Sequence, residues 1–170
     1  GIILKYHIDG TLGWSKVAGK ERNDYFTSVV SNNLGEYFLG GSRHYYFDQT
    51  GYLEDFWIYN ISDDGNTLLA DTSMTGGSHE VEVAHDIVVD ENDNIFYGGE
   101  SKSFGHSLID FHKDAFIGKL LNNYYSANFV QNFGVGGDDM ISALDFCYDS
   151  GIVGIGNLYF DNSGGGNMFI

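Results

Sequence analysis

The stretch Glu36-Tyr37-Phe38-Leu39-Gly40-Gly41-Ser42 decides the fold, because it returns as Asn94-Ile95-Phe96-Tyr97-Gly98-Gly99-Glu100. It returns again, more loosely, as Gly151-Ile152-Val153-Gly154-Ile155-Gly156-Asn157. With Gly41, Gly99 and Gly156 as anchors, the intervals are 58 residues (41 to 99) and 57 residues (99 to 156). Two further markers keep step with the anchors. An apolar residue stands twelve positions before each one, at Val29, Ile87 and Leu144. After each anchor comes a related segment: Asp55-Phe56-Trp57-Ile58, Asp114-Ala115-Phe116-Ile117 and Asn167-Met168-Phe169-Ile170. Three markers in one order at one spacing define an internal repeat. A repeat of this kind is a supersecondary unit that buries its faces on its neighbours.

Working outward, the composition agrees with strands. Glycine supplies 24 of the 170 residues, proline none, and Tyr plus Phe 12 and 13. Aromatic and β-branched runs broken by Gly, Asn and Asp are the pattern of short strands joined by tight turns. No segment shows a sustained helical period with caps, so an all-β chain is expected. In the first unit the strands are expected over 12–18 (a), 25–31 (b), 37–42 (c) and 56–61 (d). The turns between them hold Asn32-Asn33-Leu34-Gly35 and Ser62-Asp63-Asp64-Gly65-Asn66, residues that tolerate left-handed backbone. Residues 55–61 are apolar almost throughout, as for a strand covered on both faces.

Charge excludes whole classes of partner. Twenty-four Asp and Glu against 8 Lys and Arg give a net charge of −16. Eight cations in that field cannot assemble a surface for a polyanion, which excludes nucleic acid and anionic membrane surfaces. No run of about 18 apolar residues occurs, so membrane insertion is not expected, and the opening GIILKYHIDG lacks signal-peptide features. The single cysteine, Cys147, removes any internal disulfide framework. Its apolar setting in 144–148 predicts an inert core thiol.

Repeated four-stranded antiparallel units are the sequence pattern of β-propeller blades. The chain resembles the SBBP class of β-propeller repeats and, more loosely, kelch repeats. In both, a strand ending in Gly-Gly follows a turn rich in Asn, Asp and Gly. The residues that carry this are Tyr37-Phe38-Leu39-Gly40-Gly41-Ser42, Ile95-Phe96-Tyr97-Gly98-Gly99 and Asp114-Ala115-Phe116-Ile117. The resemblance implies one β-propeller portion over 1–170. Residues 1–10 would end a preceding blade, 11–66 and 67–123 would be blades, and 124–170 an incomplete one. About three blades fall short of a closed ring, typically four to eight, so an excerpt of a larger propeller is expected. Further blades would come from the same chain or another copy. A sialidase-type aspartate box and the WD40 dipeptide signature are both absent.

Function is expected on the long c–d connections, which a repeat projects from one rim. The candidate ligand-binding residues there are Tyr45, Tyr46, Phe47 and Tyr52 in the first, Phe104, His106 and Phe111 in the second, and Tyr159 and Phe160 in the third. Such rings can stack on a glycan or anchor a protein, or they can fold back into gaps between blades. A second candidate set is Asp24, Glu82 and Asp139, each seventeen residues before its anchor. Around an axis they could hold Ca²⁺ or act as an acid/base pair; alternatively each caps its own strand by accepting backbone N–H bonds. Asp55, Asp114 and Asn167 form a similar series, better suited to hydrogen bonding than to charge chemistry.

Asp90, Asn92 and Asn94 match the first half of a calcium loop, but Ile95 and Ser101 occupy positions that need Gly and Glu, so a hairpin turn is expected. The pairs His79/His85 and His106/His112 lack zinc spacing. No cofactor is therefore expected, Ca²⁺ at the axial carboxylates being the one alternative. Two functions follow: a non-catalytic scaffold or recognition module that binds a protein or glycan, extracellular or at the cell surface by resemblance, or part of a propeller hydrolase or lyase with axial carboxylates.

Overall fold

The structure is a computed structural model that describes residues 1–19, 23–48, 51–73, 81–102, 112–120, 127–134, 137–149, 151–159 and 166–169. Every regular element among them is a strand, and every strand-to-strand ladder is antiparallel. Sheet I pairs β1 (Ile2–Tyr6) with β2 (Leu12–Val17). Sheet II runs β3 (Tyr25–Ser31), β4 (Tyr37–Asp48), β5 (Gly51–Ile61), β6 (Thr67–Ser73). Sheet III runs β7 (Glu82–Val89), β8 (Ile95–Ser101), β9 (Asp114–Leu120), β10 (Ala127–Phe133). Sheet IV runs β11 (Met140–Phe146), β12 (Ile152–Tyr159), β13 (Gly166–Phe169).

The strand over 12–18 was expected to open the unit containing strands 25–31, 37–42 and 56–61. It pairs instead with β1, so a sheet runs b, c, d and then the next a. The cause is turn length. The turn from Ser62 to Asn66 is a tight hairpin, with Ser62 N–H to Asn66 O at 2.9 Å and Gly65 N–H to Ser62 O at 2.9 Å. A tight hairpin holds the strands it joins in one sheet. The turn from His7 to Thr11 has the same bonds and joins β1 to β2. The turn from Asp90 to Asn94 repeats this pattern, with Asp93 left-handed at φ 61° and Asp90 Oδ1 accepting from the Asn92 and Asn94 amides. That carboxylate is bound within its turn, as the hairpin expectation required.

The repeating glycine has a backbone cause. Opposite each anchor, strand b carries a β-bulge: Phe26 pairs with Gly41 and Ser28 with Gly40, which leaves Thr27 extra. His85 and Ser142 are extra in the same way. A Cβ at Gly41, Gly99 or Gly156 would overlap the carbonyl oxygen of Tyr25, Val83 or Met140 respectively. Only glycine lets the bulged strand come this close.

The sheets pack face on face. Residues 55–61 are buried throughout. Phe56 and Ile58 join a core with Ala84, Ile87, Ile95, Tyr97 and Phe116 of sheet III. Trp57, Tyr59 and Ile61 join another with Ile3 and Ala18 beside sheet I. Successive residues of β5 therefore enter opposite cores, as pleating dictates, and β5 is covered on both sides. Cross-sheet contacts recur one repeat apart. A Cβ on Gly40 would stand 2.6 Å from Ile87 Cγ2, and one on Gly98 would stand 2.9 Å from Ile141 Cγ2 and 3.3 Å from Leu144 Cδ1. The start of each d strand is also tied to the next b strand: Glu54 bridges Val81, and Asp139 N–H donates to Lys113 O at 2.7 Å.

Cys147 departs from expectation. It is exposed, because β11 ends at Phe146 and Cys147 opens the following turn, its N–H bonded to Gly151 O at 2.8 Å.

Candidate functional site

The segment 43–52 was expected to be a loop; its described residues 43–48 and 51–52 form a two-stranded arm. β4 and β5 stay paired through Arg43↔Asp55, His44↔Glu54, Tyr45↔Leu53 and Tyr46↔Tyr52, with Asp48 opposite Gly51. His, Tyr and Phe in succession favour extended backbone, so the ladder runs past the anchor. Tyr45, Tyr46, Phe47 and Tyr52 thus lie on strands. Tyr159 lies near the end of β12, opposite Gly166. Phe104, His106, Phe111 and Phe160, like His79, fall outside the described residues.

The three equivalent carboxylates are interior: Asp24 is 8% exposed, Glu82 2% and Asp139 0%. Asp55 and Asp114 are buried too. Asp24 Oδ1 accepts the His44 amide at 3.1 Å at the root of the arm, and Glu82 Oε1 accepts from Ser101 Oγ at 3.4 Å. Asp24 thus satisfies a backbone N–H, as strand-end carboxylates do, while Glu82 bonds a buried hydroxyl. Among the described residues, no group of three or more His, Cys, Asp or Glu is arranged to hold a metal ion.

The same end of sheets II and III carries a polar cluster that sequence reasoning missed. Tyr25 at the start of β3 donates its hydroxyl proton to Glu54 Oε1 at 2.5 Å, and His44 Nε2 lies 3.2 Å from the same oxygen. The Tyr25 and His44 rings meet edge to face, centroids 6.4 Å apart. On sheet III, Lys113 Nζ donates to Glu100 Oε1 at 2.5 Å. The bulged His85 places Nε2 at 3.9 Å from Glu100 Oε2, beyond hydrogen-bond reach, and that nitrogen is buried without a partner.

Opposing effects set the ionisation. Burial pushes Glu54 up, but hydrogen bonds from Tyr25, Ser42 and His44 outweigh it and bring the carboxyl below its usual range. Burial likewise raises Glu100, and His85 and Lys113 beside it bring it below. Tyr25 is raised, first by burial, then by Glu54, with a contribution from the Glu100 charge. Two ionised carboxylates therefore sit at a shared, partly open rim as acceptors and negative charges.

None of these positions keeps its residue type around the repeat. Tyr25 corresponds to Val83 and Met140, Glu54 to Lys113, His85 to Thr27 and Ser142, and Glu100 to Ser42 and Asn157. Departure from the repeat was itself the available signal. The members come from separate units, however, and only the sheet packing brings them together.

Comparison with protein-family models and with curated proteins found no match to this chain.

Proposed function

We propose that the chain is a portion of a β-propeller of SBBP-like blades and serves as a non-catalytic recognition module outside the cytoplasm, binding a protein or glycan at the rim of the β4–β5 arm. The observation that carries this is the arm itself. It extends the sheet II ladder beyond Ser42 and places Tyr45, Tyr46, Phe47 and Tyr52 on two paired strands that continue from His44 and Glu54. Aromatic residues on strands that run on from a fixed acceptor such as Glu54 suit sugar rings with their hydroxyls, or a basic protein surface.

The blade-like reading also accounts for exposed apolar surface. Ile87 is 2% exposed beneath sheet II, while its counterpart Val29 on β3 is 62% exposed. Ile2 and Leu4 are exposed nearby, as are Val153 and Ile155 on sheet IV. Further strands of the same kind, from this chain or another copy, would cover these flanks.

Glycan-array screening and pull-down with the wild-type chain and with Tyr45→Ala and Tyr52→Ala test the rim. Loss of the retained partner in both variants is expected; undiminished binding overturns the assignment. A second reading, a hydrolase or lyase, draws on the repeat-breaking cluster, since catalytic groups seldom recur in every unit. Any oligosaccharide bound on the array separates the two. Recovery intact supports recognition, whereas cleavage abolished by Glu54→Gln with Glu100→Gln supports the enzyme.

A further inference from the structure

The faces between sheets II and III and between sheets III and IV are built from corresponding residues, so they can be compared position by position. Between II and III, Phe56 stacks on Tyr97, ring centroids 4.5 Å apart and planes 11° from parallel. Both rings are buried. One repeat later the register puts Ala115 in the place of Phe56, since Ser42 faces Phe56 and Glu100 faces Ala115. Gly154 takes the place of Tyr97, each two residues before its anchor. Both members of the stacked pair are absent. A crevice of about 240 Å³ lies there, lined by Ala115, Ile117 and Phe133 of sheet III and by Met140, Ile141 and Leu158 of sheet IV.

We infer that this crevice is a binding site for one small, neutral aromatic molecule. Its wall is almost wholly apolar, so water inside would find few hydrogen-bond partners and is readily displaced. Phe133, 43% exposed, supplies a ring at the crevice for an incoming ring to meet in stacked or edge-on contact. The volume suits one ring with small substituents and falls below that of ordinary drug-sized pockets. The net charge of −16 disfavours an anion. The ring that Phe56 supplies between II and III has no counterpart at Ala115, and a ligand ring would take its place.

Benzene is the probe. In a titration followed by ¹H–¹³C methyl spectra, saturable shifts are expected at the methyls of Ala115, Ile117 and Ile141, and none at those of Ile58 and Ile87. Ala115→Phe, which restores the ring found between II and III, should weaken binding by roughly tenfold or more. Phe56→Ala should create a second responsive site sensed by Ile58 and Ile87. Wild-type spectra unmoved by benzene, or shifts spread evenly over both interfaces, overturn the inference, and neither result depends on any variant folding.

Discussion

The junction between sheets II and III and the junction between sheets III and IV share one backbone and differ in side chains. Both have a b strand bulged opposite an anchor glycine, an apolar residue of that strand pressed on a glycine of the preceding sheet, and a tie from the start of d to the next b. At the first junction the space is filled by Phe56 on Tyr97, and the rim carries Tyr25, Glu54, His44, Glu100 and Lys113. At the second the counterparts are Ala115 and Gly154, and a crevice remains. The two junctions thus dock through the same backbone features while their docked faces differ. Function is to be sought where corresponding residues stop matching.

The sharpest way to break this comparison is to exchange its residues. Phe56→Ala deletes a buried ring from a filled interface and should cost about 3–5 kcal/mol. Ala115→Phe adds the same ring where space exists and should gain about 1 kcal/mol. Equilibrium denaturation of both variants measures the asymmetry; losses of equal size would show the two junctions to be packed alike.

Part of this contrast was legible beforehand. The Gly-Gly pairs and the apolar run over 55–61 announced an all-β chain with a strand covered on both faces, because bulge geometry and double burial restrict residue type. The phase of the sheets was not recognised, although the tight turn from Ser62 to Asn66 carried it: a turn that short joins partners within a sheet. Alignment also displays Ala115 against Phe56. That the exchange leaves a crevice depends on which core each side of the pleat enters, and this is a matter of packing. The rim cluster is further from view. Tyr25 and Glu54 are separated by 29 residues, and Glu100 comes from the next unit, so no local spacing links them.

A smaller effect sharpens the polar half of the comparison. Glu54 and Glu100 have folded pKa values below the ordinary 4.5. Each therefore adds stability that is fully present above about pH 4.5 and is lost as pH falls through the depressed folded value. Glu54→Gln with Glu100→Gln should lower stability at neutral pH and flatten the acid limb of the stability–pH curve. An acid limb parallel to that of the wild type would show that the cluster does not favour ionised carboxylates.

The stacking of sheets in equivalent steps is tested most directly by nuclear Overhauser contacts on methyl-labelled protein. The account predicts cross-peaks from Ile87 methyls to Gly40 Hα and, one repeat on, from Ile141 and Leu144 methyls to Gly98 Hα. Methyl contacts confined to partners within each sheet, with both cross-sheet sets missing, would contradict it.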